Sequence, residues 1–197
     1  MPPKHILGIL PNHNTAPCLF PYVPIGSRDK FKIASADAFD PGAIALAALT
    51  GGGAQLFNSN RQFGQELSGY GRYFGAAYAN HVIGDFLTEG AYPSLLHQDP
   101  RYFRKGSGST GSRLGYAISR VFWTQKDAGG TAFNYSRMLG TSSTVAISSL
   151  YYAQHRDAES STVGFSTQLG AAMAANVLKE FWPDLSRRFS RKHSADR

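Results

Sequence analysis

Residues 75–86 read GAAYANHVIGDF, and residues 170–181 read GAAMAANVLKEF. Six of the twelve aligned positions are identical without a gap, and the acidic residues Asp85 and Glu180 also coincide. Alanine and glycine at this density favour helix packing at short distances. The likeness predicts that the two stretches are copies of one helix, and the alternative is a chance similarity between two alanine-rich helices.

A second pair of segments supports the repeat. The triplet FDP at 39–41 aligns with FNY at 133–135 at nearly the same offset, and each precedes a segment rich in small residues. The sequence therefore predicts two related three-helix halves, at about 28–90 and 113–182. A pseudo-two-fold arrangement would follow, with the two long helices packed near the axis through faces that include Gly71, Gly75 and Ala79, and Ala171 and Ala175.

Helical periodicity extends through most of the remaining chain. Asp40 and Pro41 are typical of an N-cap and a first helical residue, and we expect that helix to fade at TGGG, 50–53, with resumption through Gln55 to Phe57 left open. A long helix is predicted over about 62–89, and Pro183 is predicted to end the last helix. Strands are less favoured because alternation of apolar and polar residues is not sustained. The fold class predicted is all-α, a helical bundle rich in small residues.

The N-terminal part differs in composition from the rest. Residues 1–26 hold six of the ten prolines and predict an extended arm, which lies on the body or reaches a partner. Residues 27–197 are predicted to form a single helical domain with a basic tail at 186–197. The start of the chain does not read as a signal peptide, and we expect that a signal was removed from the mature protein.

The net charge of +7 and the pI near 9.6 suit an acidic partner. Nucleic acid is not expected, because no basic run is interleaved with aromatic residues. The expected partners are an anionic wall polymer, a membrane surface or another protein, and an oligomer stays open. The single cysteine, Cys18, excludes an internal disulfide, and the absence of a Cys/His cluster argues against structural zinc.

The densest polar stretch is TEGAYPSLLHQDPRYFRKG, residues 88–106. Glu89 at a helix end, followed by His97 and Asp99, has the layout of all-α glycan-cleaving enzymes, with Glu89 as the general acid and Asp99 or Asp85 as its partner. The alternative is a structural corner, in which Asp99 caps a short helical turn over PRYFRK and an arginine, Arg101 or Arg104, pairs with Glu89.

A polar stripe precedes this stretch, because His81, Asp85 and Glu89 recur at intervals of four. Such a stripe binds a metal, moves protons or forms a solvated face. No Glu-x-x-His motif is present, so neither a metal nor a cofactor is predicted. The segments RYFG and RYFR suggest binding through arginine and tyrosine, or padding of helix crossings, at four positions: Arg72, Tyr73, Arg101 and Tyr102.

Beyond residue 27, the segments FDPGAIALAAL, GYGRYFGAAYANHVIGDF, PSLLHQDPRYFR, FNYSRMLG and NVLKEFWPDL resemble those of an uncharacterised family of bacterial envelope or secreted proteins. The resemblance implies a location in the periplasm, in the outer envelope or outside the cell, and it implies no activity. Two functions stay open. One is a non-catalytic envelope protein that packs against a membrane, a wall or a partner, and the other is a secreted hydrolase of glycan or another envelope component.

Overall fold

The computed structural model describes residues 5–6, 10–16, 21–151 and 158–195, with the side chains of the last helix described as far as Ser186. The chain is mostly helical with a few small sheets, which confirms the all-α class in outline. Cys18, much of the proline-rich arm and the side chains of the basic tail lie outside the described residues.

The α-helices of the described part are α1 (Ser27–Ala38), α2 (Pro41–Leu56), α3 (Leu67–Asp85), α4 (Tyr92–Leu95), α5 (Thr110–Ser119), α6 (Tyr135–Ser148) and α7 (Ala158–Ala195). A 3-10 helix, Arg61–Phe63, precedes α3, and a π-helical turn, Phe86–Ala91, joins α3 to α4. The short strands are β1 (His5–Ile6), β2 (Leu10–Pro11), β3 (Thr15–Ala16), β4 (Gln98–Asp99), β5 (Tyr102–Phe103), β6 (Trp123–Lys126) and β7 (Thr131–Phe133).

Helix α2 does not fade at 50–53, contrary to expectation, and it runs without a break as far as the segment where resumption was left open. Asp40 caps the helix by accepting a hydrogen bond from the Gly42 N–H, as expected, but the helix continues through the glycines to Leu56. The reason is its contact with α3, since a Cβ on Gly51 would lie 2.9 Å from the backbone of Phe74. Close packing offsets the cost of about 1 kcal/mol that a glycine imposes on a helix.

The predicted long helix over 62–89 is also interrupted. Regular α-helix gives way after Asp85 to the π-helical turn, which packs between α1 and α6. Two glycines allow this approach: a Cβ on Gly90 would lie 2.9 Å from the Phe31 ring, and one on Gly140 would lie 2.6 Å from the Thr88 side chain. The π turn therefore directs Glu89 into the interior, where it is 4% exposed.

The long helices do not pack on each other as expected from their small residues. A Cβ on Gly71, Gly75 or Gly170 would meet nothing within 4 Å, and these faces of α3 and α7 are exposed. Helix α3 packs mainly on α2, whereas α7 packs on α5 and α6. The expected close contact through these glycines is therefore not formed.

The internal repeat stays a prediction. Asn134 caps α6 by accepting from the Arg137 N–H, as Asp40 caps α2, and a longer helix follows each capped one. However, a β6–β7 hairpin separates α5 from α6, where a helix–helix connection was expected. The hairpin turns through Gly129 and Gly130, whose φ angles are 88° and 79°.

Three small sheets involve the N-terminal segment and residues 98–103. Strand β1 pairs with β2, β4 joins the β6–β7 hairpin, and β3 pairs in parallel with β5. Residues 98–103 are thus extended, and the predicted helical turn capped by Asp99 is not formed. Strand pairing prevails because β3 and β6 supply partners from distant parts of the chain, which sequence periodicity does not register.

Helix α7 continues through Pro183, contrary to the prediction that this proline ends it. A proline inside a helix removes one N–H donor and disturbs the preceding turn. Arg104 and Arg113 each donate to the carbonyl oxygen of Glu180 in that turn, both at 2.8 Å. The N–H that Pro183 lacks would have bonded the carbonyl of Lys179, so the two arginines contact the disturbed turn one residue after that carbonyl.

Candidate functional site

Five ionisable side chains from five different elements form a buried charged centre, which consists of Asp37 (α1), Asp85 (α3), Glu89 (π turn), Arg137 (α6) and Lys179 (α7). Asp37 is 6% exposed and Glu89 is 4% exposed. Three carboxyl groups share this interior with two cations. Burial disfavours the charged form of each group, and each charge also acts on its neighbours. The protonation states of the five groups are therefore linked.

Glu89 is held by the N-terminal segment. The Asn14 amide donates to Glu89 Oε1, and Lys179 Nζ donates to Asn14 Oδ1 at 2.5 Å. Glu89 Oε2 is buried and has no hydrogen-bond partner in the described part of the chain. Burial raises the pKa of Glu89 well above its usual value, and the neighbouring Asp37 and Asp85 raise it further against the opposing cations. The site therefore favours the protonated acid.

Asp85 and His81 lie side by side without forming an effective ion pair. Burial, with the charge of Asp37, raises the pKa of Asp85 to about 8, while burial lowers the pKa of His81. His81 Nε2 lies 3.4 Å from Asp85 Oδ2, and neither atom has a hydrogen bond within the described residues. The 3.4 Å distance alone would suggest a salt bridge. The raised pKa of Asp85 and the lowered pKa of His81 instead favour a neutral carboxyl group beside a neutral imidazole, and the partial burial of both side chains agrees with this.

Lys179 is the matching base of the centre. Burial lowers the pKa of its ammonium group, although Asp37 and Glu89 act in the opposite direction. A carboxyl group of raised pKa and a lysine of lowered pKa, bridged by Asn14, are groups suited to donating and accepting protons.

The cavity beside the centre is cationic and small. Its volume is about 30 Å³, and its lining includes Asn14 and four cations: Arg101, Arg120, Arg137 and Lys179. That volume holds one or two water molecules, and a sugar ring is several times larger. The geometry is suited to proton transfer or to a very small anion, and an extended polymer does not fit.

The predicted catalytic residues do not all meet. Glu89 and Asp85 lie together in the buried charged centre. His97 is exposed with a φ of 52°, and its carbonyl accepts from the Asp127 N–H. Asp99 is 1% exposed and is paired with Arg101, whose Nη2 lies 2.7 Å from Asp99 Oδ2. Asp99 and Arg101 therefore form an ion pair, and the expected cleft that combines Glu89, His97 and Asp99 is not formed.

A second charged centre forms around Glu180, the position that aligns with Asp85. Glu180 is 0% exposed and accepts from Arg113 Nε at 2.8 Å, from the Tyr102 hydroxyl at 2.9 Å and from the N–H groups of Lys105 and Gly106. Burial alone would raise the pKa of Glu180, but these donors lower it. The structural corner is not formed as predicted, because Arg101 pairs with Asp99 and Arg104 donates to the Glu180 carbonyl, and neither pairs with Glu89.

The two remaining candidates for binding have different surroundings. Tyr73 is 1% exposed, and its hydroxyl both accepts from the Asn60 N–H at 2.9 Å and donates to the Asn60 carbonyl at 2.7 Å. Arg72 is exposed and donates to the Phe63 carbonyl at 3.3 Å. Tyr73 is therefore placed to fix the connection between α2 and α3, while Arg72 is exposed and bonded to the same connection.

That connection carries an exposed apolar tip, which consists of Leu56, Phe57 and Leu67. Their exposures are 85%, 86% and 87%. The Gln55 side chain donates to the Glu66 carbonyl at 3.0 Å, which places the end of α2 beside the start of α3. Three large apolar side chains therefore project together from one end of the α2–α3 hairpin.

Sequence reasoning missed the tip and part of the centre. Leu56 and Phe57 stand beside a polar run, NSNRQ, and this contrast was the available signal for the tip. Lys179 carried no local signal, because it joins the centre only through the packing of α7 with α5 and α6.

Comparisons with known proteins give no information on function. No family model, curated protein or solved structure matches this chain. Among the described helices, none combines the length and the apolar character needed to cross a membrane.

Proposed function

We propose that this chain is a non-catalytic protein of the bacterial envelope that docks on an anionic lipid surface through the apolar tip. The observation that carries the proposal is the exposure of Leu56, Phe57 and Leu67 on one end of a helical hairpin. Contiguous apolar surface of this kind marks sites of protein or membrane interaction.

Hydrogen bonds order the connection between α2 and α3 that carries the tip. Tyr73 fixes Asn60 through two hydrogen bonds, and the Gln65 side chain donates to Asn58 Oδ1 at 3.0 Å. These hydrogen bonds order the connection on which the three apolar side chains stand. The ordered connection also lowers the entropy lost on binding, because the tip is ordered beforehand.

The apolar area continues along α2. Residues 41–56 include no charged side chain, and the outer residues Ile44 and Leu49 are 43% and 70% exposed. A helix without a polar face is normally covered on all sides. Here α3 covers the inner face only, so the outer face supports contact with an apolar medium.

The size of the tip suits reversible binding. Each of its three side chains contributes about 2 kcal/mol when it leaves water completely, or roughly 6 kcal/mol together. Part of that gain is lost in restricting the motion of the protein on the surface. The balance supports docking that charge can strengthen or reverse.

Charge favours an anionic lipid surface over an uncharged protein groove. Arg61 and Arg72 are exposed beside the tip, and neither takes part in an ion pair with a described residue. Glu66 is the nearby acid, so positive charge prevails locally, as it does over the chain at +7. Each arginine near an anionic leaflet contributes about 1 kcal/mol.

Vesicle flotation tests the proposal. The full chain is mixed with vesicles of zwitterionic lipid alone or with one third anionic lipid, and we expect flotation chiefly with the anionic vesicles. A variant carrying Leu56→Ser, Phe57→Ser and Leu67→Ser should stay unbound with an unchanged melting temperature.

The matched control carries Leu95→Ser, Leu114→Ser and Val163→Ser, which alters exposed apolar residues on other helices. Equal flotation of both triple variants would contradict the proposal. If the wild type does not bind vesicles but forms dimers, and the tip variant does not form them, the tip would be an interface with a second copy of the chain. If the wild type sediments with wall polymer and the tip variant does not, the polymer would be the partner.

The second candidate is a secreted hydrolase of glycan or another envelope component, with Glu89 as general acid. The buried Oε2 atom without a hydrogen bond and the raised pKa of Glu89 favour it. The 30 Å³ cavity does not, so catalysis would require the segment carrying Asn14 to move. Turnover of labelled wall polymer, glycosides or esters that is lost in Glu89→Gln, and kept in the exposed control Glu159→Gln, would establish this function.

A further inference from the structure

We propose that His5, His13 and Asp40 form a binding site for one divalent transition-metal ion of the zinc type. His5 belongs to β1, His13 follows β2, and Asp40 is the N-cap of α2. The Nε2 atoms of His5 and His13 lie 2.8 and 3.2 Å from the same atom, Asp40 Oδ2. All three ligand atoms lie within 4.8 Å of one another.

These separations are close to those around a tetrahedral ion. Zinc binds nitrogen and oxygen ligands at about 2.0–2.2 Å, so neighbouring ligand atoms lie roughly 3.3 Å apart. Small rotations of the two imidazoles would open the observed 2.8 and 3.2 Å to that value. Two imidazoles with one carboxylate form a donor set that zinc and its neighbours accept, with a further position left for water.

The three ligand side chains differ in solvent exposure and in the hydrogen bonds that position them. The side chains of His5 and His13 are 39% and 23% exposed, whereas that of Asp40 is 5% exposed. The Gly42 N–H donates to Asp40 Oδ1 at 2.7 Å, which leaves Oδ2 to face the imidazoles. The His13 N–H donates to Asp37 Oδ1 at 3.1 Å and fixes the turn. An ion can therefore enter from solvent and find two ligands already held in place.

The ion would fasten the N-terminal segment to the bundle. Asn14 directly follows His13 and bridges Glu89 and Lys179. A metal bound by His13 and Asp40 would thus strengthen the contact that covers the buried charged centre. The site is independent of the apolar tip, so either proposal can fail alone.

Cobalt binding followed by visible absorption tests the site. The full chain, without a polyhistidine tag and freed of metal by a chelator, should bind one Co²⁺ that Zn²⁺ displaces, and Zn²⁺ should raise its melting temperature. His5→Asn and His13→Asn should each weaken binding by about 10-fold or more, and His97→Asn, at an exposed histidine outside the group, should not.

Failure of the wild type to bind either ion with a stoichiometry of one would overturn the proposal and leave two histidines hydrogen-bonded to a carboxylate. Undiminished binding by the double variant of His5 and His13 would overturn it as well. If the variants do not fold, NMR of the wild type decides: Zn²⁺ must shift the imidazole signals of His5 and His13, and shifts confined to other histidines would contradict the site.

Discussion

The buried charged centre and the apolar tip both depart from the usual placement of residues, but in opposite senses. Glu89 has 4% of its surface exposed and one oxygen without a hydrogen bond, whereas Phe57 is an aromatic residue that is 86% exposed. The centre contains polar groups that the interior does not satisfy fully. The tip contains apolar groups that the interior does not cover.

The two departures have different consequences. Neutralising a buried carboxyl group by a proton reduces the cost of burial, so the chain itself can accommodate the centre. An apolar side chain such as Leu56 or Leu67 has no such adjustment, because it carries no group that can titrate. Of the two features, the tip would gain more from contact with a second molecule, and for this reason we propose docking through the tip and not through the centre.

The largest effect on folding is expected at Glu180, the satisfied counterpart of Asp85. Glu180→Ala would remove the acceptor of Arg113 Nε, of the Tyr102 hydroxyl and of two backbone N–H groups, while Arg113 Nη2 would keep Asp184 and the carbonyl of residue 180. We expect the free energy of unfolding to fall by about 3–5 kcal/mol, as for other buried pairs that lose one member. Urea denaturation measures it.

Glu89→Gln is the matched change in the buried charged centre, and it should alter the free energy of unfolding by about 1 kcal/mol at most, because glutamine resembles the protonated acid. Equal losses in both variants would show that the two centres do not differ as described.

The next effect concerns binding and leaves folding intact. The double change Leu56→Ser and Phe57→Ser should weaken vesicle binding by about 100-fold or more, since each side chain contributes about 2 kcal/mol. The melting temperature should not change, because both side chains are more than 80% exposed. Leu95→Ser, at a leucine that is 73% exposed, is the control. If Leu95→Ser weakens vesicle binding to a similar extent, binding does not depend specifically on the tip.

Much of the helical framework follows from the sequence, and the exceptions have a common cause. The cap at Asp40 and the helical class depend on local residues and were predicted correctly. The continuation of α2 through its glycines depends on Phe74, and the path of α7 through Pro183 coincides with hydrogen bonds from two arginines. Such contacts join distant parts of the chain, so local propensity cannot include them.

The candidate site was predictable to a similar extent. The spacing of four between Asp85 and Glu89 placed both carboxyl groups on one face, and the structure brings them together. His97 and Asp99 followed only from nearness in sequence, which strand pairing at 98–103 overrides. Asn14 and Lys179 lie 75 and 90 residues from Glu89 along the chain, and no periodic pattern connects them.

The two centres should also differ in how their contributions to stability depend on pH. Asp85 has a pKa of about 8 when folded and an ordinary value of 3.8. Its contribution to stability is therefore present below pH 4 and is lost as the pH rises to 8. Asp85→Asn stays neutral, so its stability relative to the wild type should increase over that range, by at most about 1.4 kcal/mol per pH unit.

Glu180→Gln should show the opposite sign. The pKa of Glu180 is lowered from 4.5, so its contribution is present at neutral pH and is lost on acidification. The deficit of this variant relative to the wild type should thus shrink as the pH falls below about 4. Chemical denaturation of the wild type and both variants from pH 3 to 8 measures both trends, and parallel curves would contradict them.

The smallest effect is expected from the arginines beside the tip. Arg61→Gln and Arg72→Gln should each weaken binding to anionic vesicles by about 5-fold, or about 1 kcal/mol, and reduce its dependence on salt. Neither should affect folding, because both side chains are exposed. Lys32→Gln, at an exposed lysine paired with Asp29, is the matched control. Binding that does not respond to salt or to these changes would exclude an electrostatic contribution at the tip.

The most direct test follows the tip into the lipid. An environment-sensitive fluorophore is attached at Phe57→Cys, in a chain whose only native cysteine is removed by Cys18→Ser, and at Leu95→Cys for comparison. On anionic vesicles we predict a blue shift, stronger emission and quenching by brominated lipid tails at position 57, with little change at position 95. No change at position 57, or equal changes at both positions, would contradict docking through the tip.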